Sequence, residues 1–158
     1  MDSQSPSLPP FRDVATHQLL VSDGAMGSLL YERGIFVTQN FEQLNVSRPD
    51  VVKKIHGDYL DAGAQIIQTN TFGANRFRLE RHGLVGEVRR FNVEGAKIAR
   101  EVVGKRAYVG GSIGPTGLVP GADRAKELTE ARRTFAEQAA ALADGGCDLL
   151  VLETFRHL

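Results

Sequence analysis

The sequence has only one cysteine, no net charge and no long apolar stretch, and each of these features excludes some kinds of site or partner. Cys147 is the only cysteine among 158 residues, so neither an internal disulfide nor a metal site built from several cysteines can form. Lysine plus arginine number 19 and aspartate plus glutamate also number 19, so nothing indicates nucleic acid or an anionic membrane as a partner. No apolar run approaches the roughly 18 residues of a membrane span. The polar, proline-rich start lacks the apolar core of a secretory signal, so we expect a cytoplasmic protein.

Several common catalytic and nucleotide-binding motifs are missing as well. The glycine-rich segments match neither the dinucleotide-binding fingerprint nor the phosphate-binding loop of nucleotide hydrolases. The chain also lacks the paired-histidine motif of zinc proteases. Nucleotide binding is therefore poorly supported.

What the sequence does contain is an alternation of short apolar segments and amphipathic helices. Hydrophobic residues make up 42% and charged residues 24%, which is typical of one globular domain. The apolar segments predict strands at 19–23, 65–69, 107–111 and 148–152, and the amphipathic segments predict helices at about 47–62, 87–103 and 129–144. This alternation predicts an α/β fold with a parallel sheet over residues 13–158, after a disordered lead-in at residues 1–12.

An internal repeat indicates how the predicted units are arranged. Residues 61–72 align with residues 144–155, two strand-plus-helix units further on. Alternate strands of a (β/α)₈ (TIM) barrel contribute to the same interior layers, so this offset favours a barrel, although a doubly wound sheet could also show it. At about 40 residues per unit, eight units would need more than about 300 residues. We therefore expect a barrel truncated to its first four units, with open strand edges and an uncovered inner face.

Polar residues follow the predicted strands at the end where parallel α/β folds bind ligands. Asp23 and Glu153 each end an apolar strand, and Asn70 and Thr71 follow the second strand. The Gly24-Ala25 turn offers backbone N–H groups to an anion. Two carboxylates that could pair with an ammonium group, beside backbone donors for a carboxylate, suit a zwitterionic small molecule.

Each candidate also has a purely structural interpretation. Asp23 before a glycine is equally typical of a turn, and Asn70 is more typical of a loop hydrogen-bonding residue than of a ligand contact. Cys147 aligns with alanine in the repeat, which favours a small buried residue. His56, beside an apolar helical position, is expected to be half-exposed. The glycine pair at 110–111 could serve close packing instead of ligand contact.

Four motifs, in this order, resemble those of one enzyme family. The segments are Val21–Ser28 (VSDGAMGS), Gln68–Asn75 (QTNTFGAN), Gly111–Pro115 (GSIGP) and Leu152–Phe155 (LETF). They are similar to the homocysteine-binding domain of cobalamin-dependent methionine synthases, and closer still to bifunctional homocysteine S-methyltransferase/methylenetetrahydrofolate reductase proteins. The resemblance extends from about residue 13 onward. Ser28 departs from it, since threonine is more usual there, but a hydroxyl is kept.

This resemblance implies a (β/α)₈ barrel that transfers a methyl group to the thiol of homocysteine and yields methionine. It implies that Asp23 and Glu153 bind the amino-acid moiety of homocysteine. Gly24 and Ala25 would lie in the same substrate loop, and Asn70 and Thr71 on the matching rim. The methyl donor stays open, with methyltetrahydrofolate and methylcobalamin among those that relatives use.

The resemblance also implies a zinc ion whose ligands this sequence lacks. The family holds zinc with three cysteines, one from a later strand and a Cys-Cys pair near the end of the barrel, and Cys147 matches none of them. Zinc matters because the thiolate is the nucleophile and metal binding deprotonates a thiol near neutral pH. We therefore expect this chain to bind homocysteine, to hold no metal ligand or catalytic residue, and to be inactive alone.

Two other functions stay open at this point. A noncatalytic half-barrel could associate with a second copy through its open strand edges. Alternatively, the chain could belong to a barrel enzyme of other chemistry, such as a lyase that uses carboxylates.

Overall fold

Three parallel strands form the sheet at the centre of the described structure. A computed structural model describes residues 8–36, 38–118 and 124–156. Strand β1 (Ile66–Gln68) pairs with β2 (Tyr108–Ile113), which pairs with β3 (Leu149–Leu152), both in parallel. The predicted parallel α/β arrangement is confirmed for these three strands.

The described part of the chain contains seven α-helices. They are α1 (Phe11–Ala15), α2 (Met26–Glu32), α3 (Leu44–Ser47), α4 (Pro49–Asp61), α5 (Arg76–Glu80), α6 (Val88–Val103) and α7 (Arg124–Asp144), with a 3₁₀ turn at Val85–Glu87. Of these, α4, α6 and α7 pack on the sheet. Helices α4, α6 and α7 lie at the predicted positions, although α7 begins five residues before the predicted start. The short helices were not predicted, because four to seven residues show too few turns for a helical pattern to stand out. None of the described helices is long and apolar enough to cross a bilayer.

The first predicted strand forms only in part. Ser22 makes a single parallel bridge with Ile66, and the Asp23 N–H donates to the Ile66 carbonyl at 3.0 Å. Leu19 and Val21 are 99% and 62% exposed, so the prediction of a buried strand at 19–23 is wrong for these side chains. The reason is that the segment pairs only along β1, and no described element covers its other side.

The start of the described chain packs against the central strand. The Phe11 ring meets the Tyr108 ring edge-on at 5.3 Å, and the Tyr108 hydroxyl donates to the Pro9 carbonyl at 2.8 Å. Residues 1–7 of the predicted disordered lead-in lie outside the described residues, and residues 11 and 12 of it begin α1.

The two aligned segments of the internal repeat have the same local structure. Gly63 and Gly146 follow α4 and α7, with φ values of +99° and +93°, and each N–H donates back to the preceding helix. A left-handed residue of this kind ends a helix and favours glycine. Two residues later, the side chains of Gln65 and Asp148 each accept a hydrogen bond from a backbone N–H of the preceding strand or strand-like segment. The repeat therefore sets both where each helix ends and how the next strand begins.

The layer between sheet and helices is the apolar core, and it encloses His56. Ile67 and Val109 face α4 and α6 and are fully buried. His56 is fully buried too, so the prediction of a half-exposed residue is wrong. Helix α4 packs against both α3 and α6, so a position beside its main apolar stripe is enclosed as well. Neither ring nitrogen has a hydrogen-bond partner, and burial lowers the pKa of His56 to about 4.

Candidate functional site

An open cleft of about 470 Å³ lies where the strands end. Its walls come from the loop after residue 22, the loop before α3, the segment after β1, and the carboxyl ends of β2 and β3. The lining residues are Asp23, Gly24, Ala25, Met26, Gly27, Phe41, Glu42, Gln68, Thr69, Asn70, Thr71, Phe72, Ser112 and Glu153. All six residues predicted to bind substrate are among them, so the structure brings the predicted site residues together.

Asp23 is held by the neighbouring strand and is partly desolvated. Its Oδ2 accepts the Gln68 backbone N–H at 2.9 Å, and its Oδ1 accepts the Ser22 hydroxyl at 3.2 Å. Burial raises the pKa of Asp23 to about 6 against the lowering effect of these hydrogen bonds, and the charge of Glu153 adds a smaller rise. A cation bound in the cleft would therefore stabilise the charged form of this carboxylate.

Gly24 and Ala25 form the loop beside this carboxylate. The Tyr59 hydroxyl donates to the Ala25 carbonyl at 3.1 Å, and a Cβ on Gly24 would lie 2.9 Å from the Tyr59 oxygen. A Cβ at position 24 would therefore displace the Tyr59 side chain, which holds this loop. Helix α4, which carries Tyr59, thus sets the path of the loop.

Glu153 follows β3 and faces the cleft. The Ser112 hydroxyl of β2 donates to Glu153 Oε1 at 2.5 Å, and the Glu153 N–H donates to the Ile113 carbonyl at 3.1 Å. The next residue, Thr154, has a φ of +62° and is the one non-glycine residue with positive φ in the described ranges. The carboxylate is therefore held both by its neighbour strand and by an unusual backbone turn.

Asn70 and Thr71 line the cleft, but their polar groups also tie its walls together. The Asn70 amide donates to the Phe41 carbonyl at 2.7 Å and to Asn45 Oδ1 at 3.1 Å. The Thr71 hydroxyl donates to the Ser112 carbonyl at 2.8 Å. These contacts match the interpretation of Asn70 as a loop hydrogen-bonding residue, and a direct substrate role for either residue stays a prediction.

Glu42 is a third carboxylate on the cleft wall, and no strand-end pattern in the sequence predicts it. Glu42 is buried, and its Oε1 accepts the Gly73 N–H at 2.6 Å while its Oε2 accepts the Asn40 amide at 2.8 Å. It comes from the loop between α2 and α3, so a search at strand ends could not find it. Its hydrogen bonds join this loop to the segment after β1.

The charges around the cleft are all of one sign. Asp23, Glu42 and Glu153 line it, and none of its described lining residues is lysine, arginine or histidine. Met26, Phe41 and Phe72 supply apolar surface beside the carboxylates. The cleft can therefore hold an ammonium group and a short apolar chain.

The described residues do not fit the zinc ion that the family resemblance implies. No group of three or more histidine, cysteine, aspartate or glutamate side chains among them could hold a metal. Cys147 is partly buried in the layer between sheet and helices, and its Sγ lies 3.2 Å from where a Cβ on Gly111 would be. Burial raises the pKa of the Cys147 thiol to about 12, which disfavours the thiolate that zinc would bind.

This chain is similar in sequence to proteins of known function. The family model for homocysteine S-methyltransferase matches residues 20–158. Methionine synthase of Mycobacterium tuberculosis is 34% identical over 159 residues, which cover 92% of this chain and 13% of that protein. Methionine synthase of Mycobacterium leprae is 33% identical with the same coverage. The chain thus spans about an eighth of the length of these relatives.

Solved structures of the Escherichia coli homocysteine methyltransferase MmuM have a similar fold. The metallated form aligns with a TM-score of 0.75 at 24% identity and covers 92% of this chain and 57% of that one. The apo form aligns with a TM-score of 0.62 at 27% identity, over 90% of this chain and 52% of that one. The fold agreement and the family match over residues 20–158 lead to one conclusion. The chain belongs to the homocysteine S-methyltransferase family.

Proposed function

We propose that this chain forms the amino-acid-binding side of a site where homocysteine accepts a methyl group and becomes methionine. The observation that carries the proposal is the convergence of Asp23 and Glu153 on one cleft whose described lining has no basic side chain. The ammonium group of homocysteine would pair with these two carboxylates. The Gly24-Ala25 loop would offer backbone N–H groups to its carboxylate.

The apolar part of the cleft suits the side chain of homocysteine. Met26 and Phe72 lie beside the polar rim. The two-carbon chain that carries the thiol of homocysteine would be removed from water by contact with them. The volume of about 470 Å³ exceeds the size of one amino acid, which leaves room for the group that delivers the methyl. We therefore assign to this chain the binding and orientation of homocysteine.

We assign no step of thiol activation to the described residues, because they offer no fitting metal ligands. Zinc, and a donor such as methyltetrahydrofolate or methylcobalamin, would have to bind through residues beyond this set. We further propose that β1–β3 and the segment at residues 21–23 are the first four strands of a (β/α)₈ barrel. Methyl transfer to homocysteine by the isolated 158-residue chain, with zinc and a donor added, would contradict this assignment.

Calorimetric titration of L-homocysteine into the chain tests the proposal. We expect D23N and E153Q each to weaken binding about tenfold or more, because each removes a charge-assisted contact to the ammonium group. E101Q is the matched control, since Glu101 pairs with Lys53 on the outer helices and lies outside the cleft. Unchanged affinity in D23N and E153Q, or no homocysteine binding at all, would overturn the proposal. Tighter binding of a small dicarboxylic acid would instead favour a lyase-type enzyme.

A further inference from the structure

We infer that Thr154 is a positioning residue whose left-handed backbone turn directs Glu153 into the cleft. This inference rests on the proposed function, because it concerns how one of the two ammonium-binding carboxylates is aimed. It assigns a role to the backbone of Thr154, whose side chain is exposed.

The directions of the two neighbouring side chains show what the turn does. In a regular strand, residues 153 and 155 would point to the same face of the sheet. Here Glu153 faces the cleft and accepts the Ser112 hydroxyl. Phe155 instead packs in the helix layer, with its ring 5.5 Å from the Phe135 ring of α7. The positive φ of Thr154 is therefore what sends the two side chains to opposite sides.

This backbone conformation is unfavourable for threonine. A β-branched residue with a φ of +62° is a genuine outlier, and such conformations persist only where the surroundings impose them. The surroundings act on both sides here. Pairing with β2 holds the chain up to Glu153, and the contact with Phe135 holds Phe155. The strain falls next to a residue of the proposed binding site, where a single fixed side-chain direction matters.

Substitutions at position 154 separate the backbone role from ordinary stability. T154P fixes φ near −65°. The Thr154 N–H donates no hydrogen bond to the described residues, so proline removes the turn without removing such a contact. We expect T154P to weaken homocysteine binding about tenfold. We expect T154G to raise the urea midpoint by about 0.3 M, because glycine adopts positive φ without a Cβ penalty.

T129G is the matched control, because Thr129 is exposed on α7 and lies outside the cleft. Glycine inside a helix should lower its urea midpoint while the homocysteine affinity stays unchanged. A T154P protein that binds as tightly as the unmodified chain would overturn the inference and leave the proposed function standing. A T154G protein with a lowered urea midpoint would overturn it as well.

A ligand-free measurement keeps the two proposals distinguishable. Nuclear Overhauser effects between the Phe155 and Phe135 rings should be present in the unmodified chain and lost in T154P. If they persist in T154P, the turn does not direct these side chains and the inference fails. If the unmodified chain binds no homocysteine, the proposed function fails, and these ring contacts still decide whether Thr154 sets the two directions.

Discussion

His56 is fully buried and Asp23 is partly buried, and burial shifts their pKa values in opposite directions. The pKa of Asp23 rises from 3.8 to about 6, and that of His56 falls from 6.5 to about 4. In both cases burial disfavours the charged form. For His56, the unfolded chain binds a proton below pH 6.5 and the folded chain does not, so stability falls as the pH drops towards 4. For Asp23, the folded chain takes up a proton first, so stability rises as the pH drops from 6 towards 3.8.

The His56 effect predicts a pH-dependent stability that one substitution removes. Between pH 7 and pH 4, His56 should cost the folded chain about 3 kcal/mol, at about 1.36 kcal/mol per pH unit. H56L should lose this dependence and should be more stable at pH 7, because it removes two buried nitrogens without partners. Urea unfolding at pH 7.0, 5.5 and 4.5 measures both effects.

The opposing contribution of Asp23 needs its own control. D23N removes that contribution, so the comparison of D23N with D23N/H56L isolates the histidine. Equal slopes of stability against pH in these two proteins would show that His56 does not stay neutral in the folded chain.

At the residue scale, the sequence predicts side chains that end strands and misses those placed by loops or by burial. Asp23 and Glu153 were predicted because each follows an apolar strand, and parallel strands bring such ends together. Glu42 is not predicted from the sequence, because its place in the cleft depends on how a loop folds over the segment after β1. His56 was assigned to the surface because helical periodicity describes one buried face, and α4 is enclosed on more than one side.

At the element scale, the adjacent glycines Gly145 and Gly146 after α7 have different structural roles. Gly146 has a φ of +93° and ends the helix. Gly145 instead lets α7 approach α6, because a Cβ there would lie 2.5 Å from the Ala96 Cβ and 2.9 Å from the Val93 carbonyl oxygen. The sequence alone cannot distinguish these roles, since both glycines follow the same helical pattern.

This close approach predicts opposite effects of the same substitution at two glycines. G145A should destabilise the fold by about 1–3 kcal/mol, because the added methyl overpacks the contact between α6 and α7. G57A lies within α4 and meets no atom within 4 Å, so it should stabilise the fold by about 0.5–1 kcal/mol through helix propensity. Urea unfolding of both variants provides the measurement. A G145A protein as stable as the unmodified chain would mean that the two helices do not touch at this point.

At the scale of the whole molecule, apolar side chains are exposed along the outer strand. Leu150 and Leu152 of β3 are 43% and 67% exposed, and β3 pairs on one side only within the described chain. The sequence predicts an open strand edge for a truncated barrel, but not which side chains are exposed there. Leu150 lies beside Leu142 of α7 on the same side of Gly111, so α7 covers this face of the sheet at β2 but leaves Leu150 and Leu152 exposed at β3.

The exposed edge predicts reversible self-association. The apparent mass of the chain in light scattering should rise with concentration, since an open strand with apolar side chains pairs readily with another copy. L152K should remain monomeric at the same concentrations. L128K should behave like the unmodified chain, because Leu128 is exposed on α7 and not on the sheet edge. A monodisperse monomer at all concentrations would rule this association out.

The sequence by itself determined the alternation of β1–β3 with the three long helices, the parallel sheet, the repeat and the ends of the strands where the carboxylates lie. These follow from local periodicity, helix-ending glycines and the geometry of parallel connections, all of which act over short stretches of chain. Only the tertiary structure decided that Glu42 joins the cleft, that His56 is enclosed and that Thr154 turns Glu153 away from Phe155. Those outcomes depend on contacts between segments distant in sequence, because burial and backbone strain are set by what packs on either side of a residue.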